Sequence, residues 1–465
     1  MRYVSTRGSA PVLAFDDVLL AGLARDGGLY IPEHWPQFSP AEWRALRDRP
    51  YAEIAYAVMR PFVGGTIADA DLKRLCAETY APSVFRHAAI APLKQLAPGL
   101  WTMELFHGPT LAFKDFALQL VGRLFDHVLT KRGTRVTVIG ATSGDTGSAA
   151  IAACLGRSAV DVVMLHPHGR VSDVQRRQMT TVLAPNIHNV ALDGTFDDCQ
   201  DAVKAMFNDL AFRDSHNLSA VNSINWARVA AQIAYYAHAA LSLGAPDRKV
   251  SFCVPTGNFG NVLAAYAAKK MGLPVDRLVV ATNRNDIMAR TIRSGQMALE
   301  AVAPTVSPSM DVQISSNFER MIFELAGRDG AATASMMQEF RKSGRLDFPA
   351  NMQTSLAREY EGGACGEAET LAEIGDTWRA TGELVDTHTA VALHVARKAH
   401  RAGEALVVAS TAHPAKFPDA VEKAAGVRPA LPPHLADLMT KPERVTRLPN
   451  DMAKVKEFVA AARRA

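Results

Sequence analysis

The stretch Val136–Ser148, VTVIGATSGDTGS, decides the fold, because it joins a short apolar strand to a glycine-rich turn and leads into an alanine-rich helical run. The same order of strand and then helix returns at Val160–Leu165 and at Ile187–Leu192. Repeated units of this kind predict parallel strands that are covered by helices. We therefore expect a first α/β domain, which we place at residues 96–240.

A second α/β domain is predicted at residues 241–465. It follows a helical stretch at Trp226–Leu243, and its buried parallel strands are predicted at the apolar runs Val250–Val254, Leu278–Ala281 and Leu406–Ala409. The less regular region between Gly295 and Gly382 is expected to be an inserted helical segment.

Residues 1–95 lack this strand and helix rhythm. Glycine pairs and scattered prolines break them into short helical pieces. We expect them to form a separate, small and mainly helical N-terminal domain.

Composition excludes several classes of protein. The 465 residues are 48% hydrophobic, and their net charge of +4 comes from 51 basic and 47 acidic residues without a long basic run, which argues against a nucleic-acid binder. The five cysteines are scattered without a C-x-x-C pair, so neither a disulfide framework nor a zinc site is predicted. Since no stretch of about 18 apolar residues occurs, we also expect no membrane partner and a cytoplasmic location.

Lys114 is the first candidate catalytic residue. The turn at Gly108-Pro109 precedes a helix whose apolar positions recur every four residues from Phe116 to Val128, which places Lys114 in the first turn. A helix N-terminus disfavours a cation and should lower the pKa of this lysine, and a neutral amine can attack an aldehyde or take a proton from carbon. The alternative is an ordinary solvated surface lysine.

Two loops have the features of anion sites. Gly140–Gly147 and Pro255–Asn261 each connect an apolar strand to a helix, where free backbone N–H groups and the helix dipole favour a carboxylate or a phosphate. The first loop is also compatible with a plain turn in which Asp145 or Thr146 caps the helix. The second matches neither the dinucleotide-binding nor the P-loop pattern. Together they predict a phosphorylated cofactor and a second anion.

Two further segments carry polar groups next to predicted elements. Asn222–Arg228 offers amide, hydroxyl and guanidinium groups at the start of a helix, with Asn225 as a candidate N-cap and Arg228 as a phosphate ligand or a solvated surface charge. Ser410–Phe417 follows an apolar strand and offers hydroxyls, either to a ligand or as a helix cap. The histidines lack metal-binding spacing, so no metal is assigned.

Taken together, these segments resemble the threonine synthase family, whose members are fold-type II enzymes that depend on pyridoxal 5′-phosphate (PLP). The resemblance covers nearly the whole chain and is closest to the longer bacterial and fungal branch. It rests on the segments already described and on Met1–Gly8, Asp26–Pro32, His107–Phe116, Ser307–Asp311, Ser316–Arg320 and Thr411–Phe417. It implies two parallel-sheet α/β domains like those of the tryptophan synthase β subunit, with an additional N-terminal helical domain.

The resemblance also implies a role for each candidate residue. Lys114 would carry PLP as a Schiff base and act as the catalytic residue. The cofactor would be held by Asp145, Gly257, Asn258, Phe259, Gly260, Asn261, Thr411 and Ser410, and the substrate by Thr142, Ser143, Gly144, Thr146, Asn222, Ser223, Asn225 and Arg228. Asp145 stands where many relatives have asparagine, and Thr411, with Ser410, would face the pyridine nitrogen.

The reaction implied is the conversion of O-phospho-L-homoserine and water to L-threonine and phosphate by a monomer or homodimer. One rival is a PLP-dependent lyase that releases 2-oxobutyrate, ammonia and phosphate from a related phosphorylated amino acid. Another is a non-catalytic PLP-binding protein. No sequence pattern separates water addition from simple elimination.

Overall fold

The apolar runs become the strands of two large sheets in the structure, a computed structural model that describes residues 1–142, 144–220 and 223–464. The strands are β1 Tyr3–Ser5, β2 Tyr30–Pro32, β3 Leu93–Ala97, β4 Leu100–Glu104, β5 Val136–Ala141, β6 Val160–Pro167, β7 Ile187–Asp193, β8 Leu218–Ser219, β9 Val250–Pro255, β10 Val275–Thr282, β11 Gln296–Ala298, β12 Arg345–Asp347, β13 Tyr360–Ala364, β14 Leu406–Ser410 and β15 Thr446–Pro449.

Helices cover both sheets and form most of the N-terminal region. They are α1 Phe15–Ala21, α2 Pro40–Ala45, α3 Tyr51–Val63, α4 Asp69–Thr79, α5 Lys114–Arg132, α6 Asp145–Cys154, α7 Asp173–Thr180, α8 Phe196–Asn208, α9 Leu210–Ser215, α10 Trp226–Ser242, α11 Gly260–Lys270, α12 Ile287–Ser294, α13 Phe318–Leu325, α14 Gly330–Ser343, α15 Ala350–Glu359, α16 Glu367–Thr381, α17 Thr387–Ala399, α18 Pro418–Ala425 and α19 Met452–Ala462. Short 3-10 turns lie at Pro308–Met310, Pro414–Lys416 and Pro433–Leu435.

Within the described residues, the first sheet has the strand order β15-β7-β6-β5-β8, and all its pairs are parallel. The second has the order β13-β10-β9-β14-β4-β3 and is parallel except for the edge pair of β3 and β4. The prediction of two parallel-sheet α/β units is confirmed. Strand β6 is buried along its whole length, as a near-continuous apolar run predicts.

The two sheets do not follow the boundaries that we placed at residues 95/96 and 240/241. Strand β4 pairs with β14 in the second sheet, whereas β15, near the end of the chain, pairs with β7 in the first. Local periodicity identifies a parallel strand but does not tell which sheet the strand joins, and this explains the difference.

The N-terminal region combines helices α1–α4 with the antiparallel pair of β1 and β2. Helix α3 packs against α10, and α4 packs against α5. The apolar residues of the N-terminal region belong to the same large hydrophobic cluster as buried residues of α5, α10 and α11. The region between Gly295 and Gly382 holds helices α13–α16, together with the strands β11 to β13.

The topology brings the candidate loops together. Strands β5, β9 and β14 end directly before Thr142, Thr256 and Thr411, respectively. Ligands of α/β proteins bind outside the carboxyl ends of parallel strands, and here two sheets supply such ends to one cleft.

Candidate active site

A cavity of about 980 Å³ lies between the two sheets. Most of the residues that the sequence singled out line it, namely Lys114, Thr142, Asp145, Thr146, Ser223, Arg228, Gly257, Asn258, Phe259, Gly260, Asn261 and Thr411. Ser143 and Asn222, which were also predicted to bind substrate, lie outside the described residues. The volume is within the range of small-molecule and cofactor sites.

Lys114 is the first residue of α5, as predicted. Only 11% of its side chain is exposed, so the alternative of a solvated surface lysine is wrong. Its Nζ atom lies 3.3 Å from Asp145 Oδ2. Burial lowers the pKa of Lys114, and the nearby cations Lys416 and Arg228 lower it further, against the opposite effect of Asp145. A lowered pKa favours the neutral amine that proton transfer from carbon requires.

Asp145 is a buried acidic group in the cavity wall that contacts two lysines. Its Oδ2 faces Lys114, while Oδ1 lies 2.9 Å from Lys416 Nζ and accepts a 2.9 Å hydrogen bond from Gln175 Nε2. Burial alone would raise the pKa of Asp145, but the two lysines and the amide hold it well below its usual range. Asp145 is therefore an ionised acceptor.

The loop after β5 is held by its own threonine. Thr142 Oγ1 accepts hydrogen bonds of 2.9 Å from the backbone N–H groups of Gly144 and Gly147. Gly144 occupies the N-cap position of α6 with a φ of 136°, so the alternative that Asp145 or Thr146 caps this helix is wrong. Gly144 does not line the cavity, because its α-carbon faces the Gln175 side chain. Thr142 and Thr146 remain at the wall, next to the helix N-terminus.

The loop after β9 has the close approach that its glycines predicted. A Cβ atom on Gly257 would lie 2.5 Å from the carbonyl oxygen of Ser309, so only glycine fits between the two loops. Phe259 precedes α11 in the left-handed region, with a φ of 61°. Its ring packs against Phe318 and Tyr360, with centroid distances of 5.0 and 5.4 Å, and these contacts offset the strained backbone.

Asn261 tests whether this loop fits a phosphate. The hydroxyls of Tyr235 and Tyr236 donate to its Oδ1 at 2.5 and 2.7 Å, which fixes the orientation of the amide. Its Nδ2 is buried and has no hydrogen-bond acceptor within the described part of the chain. A buried N–H without an acceptor is costly unless a ligand completes it. Beside the N-terminus of α11, this donor fits the phosphate of PLP.

Arg228 is a buried cation on the opposite wall. The residue is 4% exposed, so the alternative of a solvated surface charge is wrong. Burial lowers the pKa of its guanidinium to about 10, which leaves it charged at neutral pH. Asn225 is the N-cap of α10, as predicted, and its Nδ2 donates to the Leu19 carbonyl oxygen at 2.8 Å. These bonds occupy Asn225 away from the cavity, whereas Ser223 lines it.

Thr411 and Ser410 were predicted together, but only Thr411 lines the cavity. Thr411 lines the cavity, but the hydroxyl of Ser410 lies 3.1 Å from Thr389 Oγ1 and does not reach the wall. Successive residues at the end of a strand point to opposite sides, which accounts for the difference. Thr411 is thus the hydroxyl that is available to a ligand.

Sequence reasoning missed a buried histidine in this site. His388 lines the cavity, and its Nδ1 lies 2.8 Å from Asp386 Oδ2. Its Nε2 accepts a 3.3 Å hydrogen bond from the Ser309 N–H, which requires the proton to sit on Nδ1. The sequence D-T-H at residues 386–388 is the one local pattern that could have indicated this histidine, but an ordinary helix N-cap has the same pattern.

Other classes of site are not found in the described ranges. There, no group of three or more His, Cys, Asp or Glu side chains is placed to hold a metal ion. Across the same residues, no helix has the length and apolar character needed to cross a membrane.

Three family models match parts of this chain. Residues 86–339 match the family model "Pyridoxal-phosphate dependent enzyme", residues 2–80 match "Threonine synthase N terminus" and residues 389–459 match "Threonine synthase, C-terminal".

The relatives match over their whole length. The chain is 56% identical to threonine synthase of Pseudomonas aeruginosa over 462 residues, which are 99% of this chain and 98% of that protein. The crystal structure of PLP-bound threonine synthase from Brucella melitensis covers 100% of both chains, with 53% identity and a TM-score of 0.98. Yeast threonine synthase covers 99% of this chain and 98% of its own, with 38% identity and a TM-score of 0.94. The chain therefore belongs to the threonine synthase family of PLP-dependent enzymes.

Proposed function

We propose that the protein converts O-phospho-L-homoserine and water to L-threonine and phosphate, with Lys114 as the catalytic residue. The observation that carries this proposal is the position of Lys114. Its buried amine stands at the N-terminus of α5, 3.3 Å from Asp145, in a cavity that also receives the N-termini of α6 and α11.

Two anion sites flank this amine. The PLP phosphate would be held by the N-terminus of α11, the backbone of Gly257–Gly260 and Asn261 Nδ2, which has no acceptor among the residues that the structure describes. The N-terminus of α6, with Thr142 and Thr146, would hold the substrate carboxylate. For the substrate phosphate we propose Arg228 and Ser223, because a buried guanidinium binds phosphate oxygens bidentately. Ser143 and Asn222 remain predicted substrate ligands, and Gly144 acts through the shape of its loop.

Each residue around Lys114 has a separate proposed role in the reaction. When bound, PLP supplies an electron sink for a carbanion at the substrate α-carbon. Burial and neighbouring cations lower the pKa of Lys114, which favours its neutral form, and this amine would take and return protons at the α- and β-carbons. Asp145 accepts a hydrogen bond from the Lys114 amine and orients it. Thr411, a neutral hydroxyl, would face the pyridine nitrogen, and Arg228 would stabilise the phosphate as it leaves.

Product analysis is the direct test. Purified protein loaded with PLP is incubated with O-phospho-L-homoserine, and the organic product and the released phosphate are measured together. Threonine in one-to-one ratio with phosphate supports the proposal, whereas 2-oxobutyrate and ammonia in place of threonine would assign the protein to the rival lyase. Absence of turnover with PLP still bound would favour a non-catalytic binding protein.

Lys114→Ala tests the role of the lysine, and Lys131→Ala is a matched control. Lys131 lies in the last turn of the same helix and is exposed. We expect Lys114→Ala to lose both threonine formation and the visible absorption of lysine-linked cofactor, while the control keeps both. If Lys114→Ala retained both, another residue would have to carry the cofactor.

We also propose a cytoplasmic protein that is monomeric or homodimeric. Each of its five cysteines is a buried free thiol, which supports a reducing compartment. Size-exclusion chromatography with light scattering tests the oligomeric state.

A further inference from the structure

A second lysine is buried directly behind the candidate catalytic lysine. Lys416 is fully buried, in the 3-10 turn that follows β14. Its Nζ donates to the Thr110 carbonyl oxygen at 2.7 Å and to Gln178 Oε1 at 2.9 Å, and it lies 2.9 Å from Asp145 Oδ1. Lys416 does not line the cavity. Within the described part of the chain, its ion pair is with Asp145 Oδ1, the oxygen of that carboxylate that does not face Lys114.

Asp145 thus contacts two lysines, Lys114 and Lys416, which have different proposed roles. Lys114 faces Oδ2, and a lysine that transfers protons alternates between its charged and neutral forms. Each time Lys114 gives up its proton, the buried carboxylate loses one counter-charge. A buried carboxylate without a cation protonates. Lys416, which is fully buried and does not line the cavity, is the cation that remains.

We propose that Lys416 is a positioning residue: its ammonium keeps Asp145 ionised and fixed in place whatever charge Lys114 carries. Asp145 can then accept a hydrogen bond from Lys114 at every stage of turnover. This inference rests on the proposed role of Lys114 and adds a residue to the same site.

The other groups around Asp145 do not replace this charge. Gln175 from α7 donates a neutral hydrogen bond at 2.9 Å, and the Ser309 hydroxyl lies 3.4 Å from Oδ2. Arg228 from α10 acts on Lys114. Asp115 from α5 is a nearby acidic group whose pKa Lys416 lowers, and its carboxylate accepts hydrogen bonds from the N–H and the hydroxyl of Thr110.

The test follows the visible absorption of bound PLP against pH in the full-length holoprotein. Three variants are compared with the unchanged protein: Lys416→Met, Lys416→Arg and the double variant Asp145→Asn, Lys416→Met. Loss of an opposite charge at this distance raises a carboxyl pKa by roughly one to three pH units. Because the Asp145 pKa then rises from well below its usual range, we expect Lys416→Met to show an absorption transition in the acid range that the unchanged protein lacks. Lys416→Arg keeps a cation and should lack it.

The double variant identifies the titrating group. Because an amide replaces the carboxylate, it should show no transition. A Lys416→Met spectrum as insensitive to pH as that of the unchanged protein, or a transition that persists in the double variant, overturns the proposal. If Lys416→Met alone does not fold, the charge-neutral double variant must fold and bind PLP, and its failure to do so also overturns the proposal. These spectra do not depend on threonine formation, so they are independent of the product test.

Discussion

Gly257→Ala should disrupt the loop after β9, the proposed site of the PLP phosphate, without changing any charge. The added Cβ would lie 2.5 Å from the Ser309 carbonyl oxygen, whereas a close carbon–oxygen contact measures about 3.3 Å. The two loops must therefore separate by about 0.8 Å, the difference between these distances. Overpacking of this kind costs about 1–3 kcal/mol. Movement of Ser309 with its loop would disturb its contacts with His388 and Asp145.

Cofactor affinity is the most sensitive measurement of this movement. PLP is titrated into cofactor-free Gly257→Ala, and we expect the dissociation constant to rise at least about tenfold, which corresponds to about 1.4 kcal/mol. Because misplacement by about 1 Å lowers turnover by about a hundredfold, kcat/KM should fall by a similar factor. Urea unfolding separates this effect from global destabilisation.

Gly366→Ala is the matched control. Gly366 also has a negative φ, and the three atoms nearest to its added Cβ all belong to the flexible Glu369 side chain, which can swing away. We expect this variant to lose less than about 0.5 kcal/mol of stability and to bind PLP normally. If Gly257→Ala behaved like the control, the loop that carries Ser309 could move aside at little cost, and the steric argument for glycine would be wrong.

Three further outcomes are expected. Arg7→Met should lower the free energy of unfolding by about 3–5 kcal/mol in urea titrations, because it leaves the buried carboxylate of Glu319 without its cation. Arg44→Met breaks an exposed ion pair and should lower the free energy of unfolding by less than about 1 kcal/mol. Burial raises the pKa of Asp115 to about 6, above the value of about 3.9 for an unfolded chain. Its contribution to the free energy of unfolding is therefore complete below about pH 4 and is lost as the pH rises through 6, a loss of up to about 3 kcal/mol. When unfolding is measured at pH 4.5 and 7, Asp115→Asn should lack this loss. All five cysteines are buried, and burial raises the pKa of Cys154 to about 12, so a disulfide reagent should label the native protein slowly and label all five thiols in urea; fast native labelling would contradict this reasoning.

The sequence predicted six strands of the two large sheets, β5, β6, β7, β9, β10 and β14, and the position of Lys114, because both depend on local patterns. Apolar runs such as Val160–Leu165 contain their own evidence for a buried parallel strand. The turn at Gly108-Pro109 and the apolar period after it were enough to place Lys114 in a first helical turn.

Relations between distant segments could not be predicted in this way. Lys416 and Gln175 reach Asp145 from other elements, and no spacing in the sequence encodes these contacts. The choice between Ser410 and Thr411 depends on which way the end of β14 faces. The assignment of β15 to the first sheet needed its pairing partner.

The crossed connectivity of the two sheets has a consequence for synthesis on the ribosome. Strand β7 ends at Asp193, but the strand that covers its edge begins only at Thr446. The ribosome adds about 5–20 residues per second, so this edge waits many seconds for its partner. An unpaired strand edge is a template for association with other chains. The nascent chain thus passes through a long aggregation-prone interval, and truncation before Thr446 should leave that interval permanently open.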